Sequence, residues 1–446
     1  MLTNCTKRVS AIKHLYWFSH DLRIQDNLAL ALAAAKAAEL ELIYIFDPRL
    51  TEYQQWQSKA IGKHQQRFIE HSLIELNNQL QVFGQHLKVY YGHSEKIIAR
   101  YLIQNNFAQV HTSVAIGSYE QKLQSKLIKQ FGDRIVRTWQ HTLFEQNQLP
   151  FAIDDIAKTF SSFRKHIEKA KLAISTCCKI SHLPPPVSKA SFNLLINNSK
   201  HGSQSLAHLG GCASGKKHLT DYFGSDAALS YKATRNELDN WQSSTKFSLW
   251  LAHGCLSPRQ IWHALKAFEK QRGSNESTYW IGFELLWREY FHWLLVKFGN
   301  SFFDFAGIND KAPLTSFHGE RFQKWCHGST PYPIINACMK QLKATGYLSN
   351  RGRQLVASCL VNELQLDWRY GAAYFQEMLI DYDIASNWGN WQYLAGVGAD
   401  PRGGRWFNLE KQQQMYDPDE RFINHWGGYN EVMPLDSINI NDWPIS

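Results

Sequence analysis

The chain has 446 residues, of which 44% are hydrophobic, 13% aromatic and 20% charged. That length implies two or three domains, and that composition excludes a largely disordered chain. The formal net charge of +9 divides unevenly: residues 1–215 carry 25 basic against 15 acidic side chains, and residues 216–446 carry 23 against 24, so the second half has no bulk excess to bind nucleic acid and would need a local arrangement.

The N-terminal stretch MLTNCTKRVSAIKH has no apolar core, and no segment reaches the roughly 18 apolar residues needed to span a bilayer. The eight cysteines form no CxxC pair, which argues against a zinc ribbon or a disulfide scaffold. A soluble, reducing, cytoplasmic setting is expected.

Short apolar runs at 14–18, 41–47, 86–91, 109–115 and 134–139 read as strands. Helical patterns alternate with them at 27–39, 59–80, 94–104 and 119–131. Such alternation predicts a parallel, doubly wound, Rossmann-like sheet over residues 1–135. Neither GxGxxG nor GxxxxGK[ST] accompanies it, so the usual nucleotide signatures are missing. Residues 136–215, with Pro184-Pro185-Pro186 and a stretch rich in Ser, Asn and Gly, read as a connector. From 216 to 430 the strand signals stop. Helical patterns at 218–224, 259–270, 277–298, 333–345, 352–364 and 370–380 predict an all-α domain, and 431–446 reads as a loosely packed tail. Thirteen of the 16 tryptophans follow residue 216, which suits a large aromatic core or a site for a planar group.

Three constellations carry chemistry. The helix YWIGFELLWREYFHWLL at 279–295 is aromatic nearly all round, so it should be buried, yet it contains Glu284, Arg288 and Glu289. A buried carboxylate needs a partner or a use. Glu284 is either the i,i+4 partner of Arg288 or, on a face shared with Trp287, a hydrogen-bonding group beside an indole that could stack a planar heterocycle. Further on, Arg351 and Arg353 open one helix, and Asp381 and Asp383 close another ahead of Asn387 in a Gly- and Trp-rich turn. An Arg353–Asp381 pair could clamp two helices or flank a flavin or a phosphate. Finally, Ser244, Thr245 and Ser248 offer hydroxyls near a helix start, which suits a diphosphate, and Ser257-Pro258 reads as an N-cap with Pro at the first helical position.

The runs WFSHDLRIQDN at 17–27, YKATRNE at 231–237, ELLWREYF at 284–291, NRGRQ at 350–354, DYDIASNWGNWQY at 381–393 and AGVGADPR at 395–402 occur in the order of the photolyase/cryptochrome family, and this chain most resembles its cryptochrome-DASH branch. The resemblance covers about residues 13–425. It implies an N-terminal α/β antenna domain and a helical domain holding a folded FAD. It implies light-driven repair of cyclobutane pyrimidine dimers, mainly in single-stranded or looped DNA, or alternatively blue-light sensing as a photoreceptor with a signalling partner. A monomer is expected.

Carried over residue by residue, the resemblance assigns Tyr231, Ser244, Thr245 and Ser248 to the FAD phosphates and Arg288 and Asn350 to the flavin pocket. It places Arg353 and Asp381 across the flavin ring, Asp383 near the ribityl or adenine side and Asn387 opposite N5. Glu284 and Trp287 take the roles of dimer-contacting carboxylate and stacking indole, Asn350 and Tyr393 lie on the DNA side, and Arg405 is a phosphate contact. Trp391 and Trp368 match the inner members of an electron-transfer chain, but its outer tryptophan is replaced by Thr315, so another aromatic takes that place or photoreduction is slow. His71 stands where folate-binding relatives carry a carboxylate, which argues against methenyltetrahydrofolate as the antenna chromophore.

Overall fold

A computed structural model describes residues 12–53, 55–188, 192–194, 209–400 and 402–437. Part of the expected connector and residues 438–446 of the expected tail lie outside the described residues. The first part of the chain builds a five-stranded parallel sheet in the order β3-β2-β1-β4-β5 from β1 (Lys13–Phe18), β2 (Glu39–Phe46), β3 (Leu87–Tyr91), β4 (Gln109–Ser113) and β5 (Ile135–Thr138). Four helices connect them: α1 (Leu28–Lys36), α2 (Lys63–Val82), α3 (Ser94–Ile103) and α4 (Ser118–Phe131). Strands buried on both faces explain why the runs are continuously apolar rather than alternating. The strand order reverses between β1 and β4, which opens a crevice at the carboxyl ends of the strands.

From Cys212 onward the described elements are helical: α6 (Cys212–Gly224), α7 (Ala227–Thr234), α8 (Ser248–Ala252), α9 (Pro258–Arg272), α10 (Glu276–Phe298), α11 (Gly319–His327), α12 (Pro333–Thr345), α13 (Asn350–Ser358), α14 (Trp368–Met378), α15 (Ile384–Ala395), α16 (Leu409–Tyr416) and α17 (Arg421–His425). Ser257 caps α9 by accepting from Gln260 N–H at 3.0 Å, and the Gln260 side chain answers at 2.9 Å. One cluster of buried side chains runs from the sheet into the helices, including Phe68 and Leu73 of α2, Leu249, Trp293 and Trp391.

Several expectations need correction. The stretch read as a connector carries α5 (Phe160–Ala170), capped by Thr159, whose buried Phe160, Phe163 and Ile167 pack into the main core. The pattern at 352–364 is not one α-helix, because α13 ends at Ser358 and a π-helical turn, Cys359–Glu363, follows. Asn387 lies inside α15 rather than in a turn, and Asp383, expected to end a helix, instead caps α15 by accepting from Ser386 N–H at 2.8 Å. Ahead of the undescribed end, the tail is tied down: Asp436 pairs with Arg321 at 2.6 Å and Met433 N–H donates to the Ser329 carbonyl.

Candidate functional site

Ten of the residues singled out above line one cavity of about 250 Å³: Tyr231, Ser244, Thr245, Ser248, Glu284, Arg288, Asn350, Arg353, Asp381 and Asp383. Local chemistry explains the convergence. Lys246 adopts a left-handed turn (φ 53°) that brings Ser244, Thr245 and Ser248 around the start of α8. Ser349 caps α13, which places Asn350 and Arg353 on its first turn. The break between α14 and α15 carries Asp381 and Asp383 to the same wall.

Arg353 Nη2 donates to both oxygens of Asp381 at 2.9 Å, and its Nε donates to the Leu348 carbonyl at 2.8 Å. The Asp381 side chain is 1% exposed, so this guanidinium compensates a desolvated charge. Asp383 lies 3.2 Å from His292 Nε2 and 3.5 Å from Arg288 Nη2. Burial opposes its ionisation, but the neighbouring His292 and Arg288 outweigh burial and hold the carboxyl well below the usual carboxylate range. Arg288 also donates to the His141 carbonyl at 2.5 Å, while its buried Nε has no partner among the described residues.

Glu284 is not paired with Arg288. Its partner is Arg235, which stands one helical turn after Tyr231 and also lies over the Trp280 ring at 4.6 Å. Arg235 escaped the residue-by-residue reading, although its i,i+4 spacing from Tyr231 was a usable signal. Lys246, Tyr347 and Ser386 also line the cavity, and sequence patterning did not single them out.

Trp287 lies just outside this lining and stacks on Phe160, with Tyr393 edge-on at 5.8 Å. Arg405 donates to the Tyr393 hydroxyl and, through Nε, to Asp400 at 2.8 Å, so its charge is partly balanced. Asn387 Nδ2 donates to the Ala372 carbonyl at 3.0 Å, which leaves its Oδ1 available to accept. Trp391 and Trp368 are fully enclosed, and the Trp391 ring packs on Gly371, where a Cβ would meet it at 2.3 Å.

A second cavity of about 660 Å³ opens at the carboxyl ends of β1, β2 and β4, and it shares Leu251, Ala252, Arg288 and Asp383 with the first. Asp47, Arg49 and Ser94 stand on its far wall. Burial favours the neutral Asp47, yet hydrogen bonds from Arg49 and Ser94 lower its carboxyl to about 2.

A sequence profile described as the FAD binding domain of DNA photolyase matches residues 280–441, and one described as DNA photolyase matches residues 14–187. The chain is 49% identical to a cryptochrome DASH of Idiomarina loihiensis, over 97% of this chain and 96% of that one. It is 48% identical to a cryptochrome DASH of Vibrio parahaemolyticus, over 97% of both. The solved structure of the Synechocystis cryptochrome superposes with a TM-score of 0.87 at 37% identity, covering 95% of this chain and 90% of that one. An archaeal photolyase from Sulfolobus tokodaii, solved with two FAD molecules, gives 0.74 at 27% identity, covering 93% and 90%. Sheet, helical half and residue order together define a two-part photolyase-type fold with a FAD-binding helical domain, and the chain belongs to the photolyase/cryptochrome family. Within it, the similarity runs to cryptochromes DASH over nearly the full length.

The residues present fit FAD. The hydroxyls at the start of α8 and the unpartnered Arg288 Nε are donors suited to a diphosphate.

Proposed function

We propose that the protein repairs cyclobutane pyrimidine dimers in single-stranded or looped DNA under blue light. The supporting observation is that Glu284 and Asn350 line the same cavity as the Arg353–Asp381 pair, so groups able to read a base edge adjoin those able to hold a flavin. Reduced FAD, when bound, supplies the light-excited electron that splits the cyclobutane ring and to which that electron returns. In this reading Tyr231, Ser244, Thr245, Ser248 and Arg288 hold the cofactor, with Asp383 on its ribityl or adenine side. Arg353 and Asp381 set the charge beside the flavin ring, and Asn387 accepts or donates at N5. A flipped dimer leaves the stack, hydrogen-bonds to Glu284 and Asn350 and stacks on Trp287. Tyr393 closes the pocket edge and Arg405 meets a phosphate. The accompanying division is an antenna domain at 1–135 and a cofactor domain at 216–430. The second cavity lies at the strand-order reversal, where open α/β sheets take ligands, and there we place an antenna chromophore.

The test is repair of a dimer-containing oligonucleotide by protein with fully reduced FAD, single-stranded against duplex, in light and dark. Light-dependent repair that favours the single strand is expected. No repair of either would leave the photoreceptor reading.

A further inference from the structure

The outer position of the expected electron chain is Thr315, which cannot be oxidised. The aromatic side chains around Trp391 and Trp368 offer two other ways out of the core. One leads from Trp391 to Trp325, with ring centres 6.3 Å apart, and then to Tyr374 at 5.5 Å. It ends poorly. Oxidised tyrosine must shed its phenol proton, and the Tyr374 hydroxyl donates to the Cys326 carbonyl at 3.2 Å, which is no base. Its other neighbour, Phe322, is harder to oxidise than either indole or phenol.

The other way is made of indoles. Trp388 stands one turn before Trp391 on α15, so the two share a face. Trp368 meets Trp388 edge-on with ring centres 5.6 Å apart, and Trp56 meets Trp388 at 5.2 Å. Trp368 and Trp388 are buried, whereas Trp56 reaches solvent at the rim of the larger cavity. The backbone is bent to hold it there: Trp56 and Gln57 are consecutive left-handed residues, with φ of 61° and 59°. Non-glycine residues in that region cost free energy and concentrate where function holds them. The Arg369 guanidinium, 5.8 Å from the Trp56 ring, is balanced by Asp367 at 2.7 Å, so no bare positive charge opposes oxidation of the indole.

We infer that Trp56 is the outer electron donor of this protein, feeding the flavin site through Trp388, which meets Trp368 and shares a helix face with Trp391. The inference rests on the proposed role of Trp391 as the flavin-nearest indole. With FAD bound, Trp391 would give one electron to its light-excited oxidised form. The vacancy passes to Trp388, which also touches Trp368, and from Trp388 to Trp56. The Trp56 radical cation releases its indole proton to water, and an external thiol then reduces the neutral radical, so the net transfer is one electron from thiol to flavin.

The experiment follows photoreduction of FAD in the holoprotein by absorption, with a thiol present, alongside transient spectra of the tryptophan radical. Trp56→Phe should slow photoreduction severalfold and remove the slow deprotonated-radical signal, with FAD content unchanged. Trp388→Phe should do the same. Tyr374→Phe and Thr315→Trp should leave the rate as in wild type. A separate readout needs no cofactor: in apoprotein, mild indole oxidation followed by peptide mass spectrometry should mark Trp56 before Trp388 and Trp368. If Trp391→Phe stops photoreduction while Trp56→Phe changes neither rate nor radical, the proposal is overturned and the inner reading stands. If Trp391→Phe itself has no effect, the underlying reading fails. Loss through Tyr374→Phe, or acceleration by Thr315→Trp, would also overturn it.

Discussion

Phe160 lies flat against Trp287, with ring centres 3.8 Å apart and planes 13° from parallel. One face of the indole is thereby closed by a residue from a different helix, and Tyr290, Phe291 and Tyr393 also pack round it. Trp287 is thus presented as a rigid platform, because a stacked indole has lost its rotamer freedom before any ligand arrives.

That arrangement separates a stacking role from a purely structural one. Trp287→Ala should weaken binding of a dimer-containing single strand by about 1–3 kcal/mol, the usual worth of one base–aromatic stack. Phe160→Leu should give a smaller loss by loosening the platform. Fluorescence anisotropy with labelled oligonucleotides reads both, and the flavin spectrum should be unaltered in each.

Asp381 supplies the second prediction. Arg353 is the guanidinium that meets both its oxygens, and the carboxylate is almost wholly buried. Removing one partner of such a pair costs about 3–5 kcal/mol because the other charge is stranded. Arg353→Ala should lower the melting temperature and FAD retention together. Arg353→Ala combined with Asp381→Asn should recover part of the stability, since no buried charge remains. A double variant as unstable as the single one would count against this account.

A third concerns pH. Glu289 is fully enclosed. Its carboxylate oxygens accept from Leu143 N–H at 2.5 Å and Trp293 Nε1–H at 3.2 Å, yet burial outweighs these bonds and raises the carboxyl from 4.5 to about 7. The folded state therefore keeps a proton that the unfolded chain releases above its own lower value. Stability contributed by this group is full below about pH 4.5 and is lost as pH rises towards 7. A shift of that size corresponds to about 3 kcal/mol. Urea unfolding at pH 5 and pH 8 should show a fall that Glu289→Gln largely abolishes, because glutamine resembles the protonated acid.

Much of this was readable from the residues. The parallel sheet followed from alternating patterns, and α10 announced its burial by being aromatic all round. The buried Arg353–Asp381 contact could be suggested because desolvated charges on adjacent helices must find each other. Other features resisted. The Glu284–Arg235 pair joins residues 49 apart, and the nearer Arg288 is the better guess on one helix until tertiary packing turns it toward Asp383 and His141. The helix Phe160–Ala170 was masked by a polar, Pro-bounded stretch, although its cap Thr159 and apolar positions 160, 163 and 167 were present. The contact of Trp56 with Trp388 spans the two halves of the chain and depends on left-handed backbone that no periodicity reveals.

The last prediction turns on Glu284. Its carboxylate is held by Arg235, which in turn lies over Trp280, so the three form a preorganised rim beside Asn350. A carboxylate only accepts hydrogen bonds, and it can accept from a base edge while still bonded to a guanidinium. Glutamine at this position keeps one acceptor and adds a donor. Glu284→Gln should therefore weaken binding of the dimer strand by about 1–3 kcal/mol, since a desolvated base donor loses its charged partner. Arg235→Met should cost less, because the carboxylate remains while its orientation relaxes. Both variants should keep FAD, and binding should still fall with added salt through phosphate contacts such as Arg405. If Glu284→Gln binds damaged strand as wild type does while Arg235→Met lowers the melting temperature, Glu284 serves only to anchor α10 to α7, and base recognition belongs to other residues of the cavity.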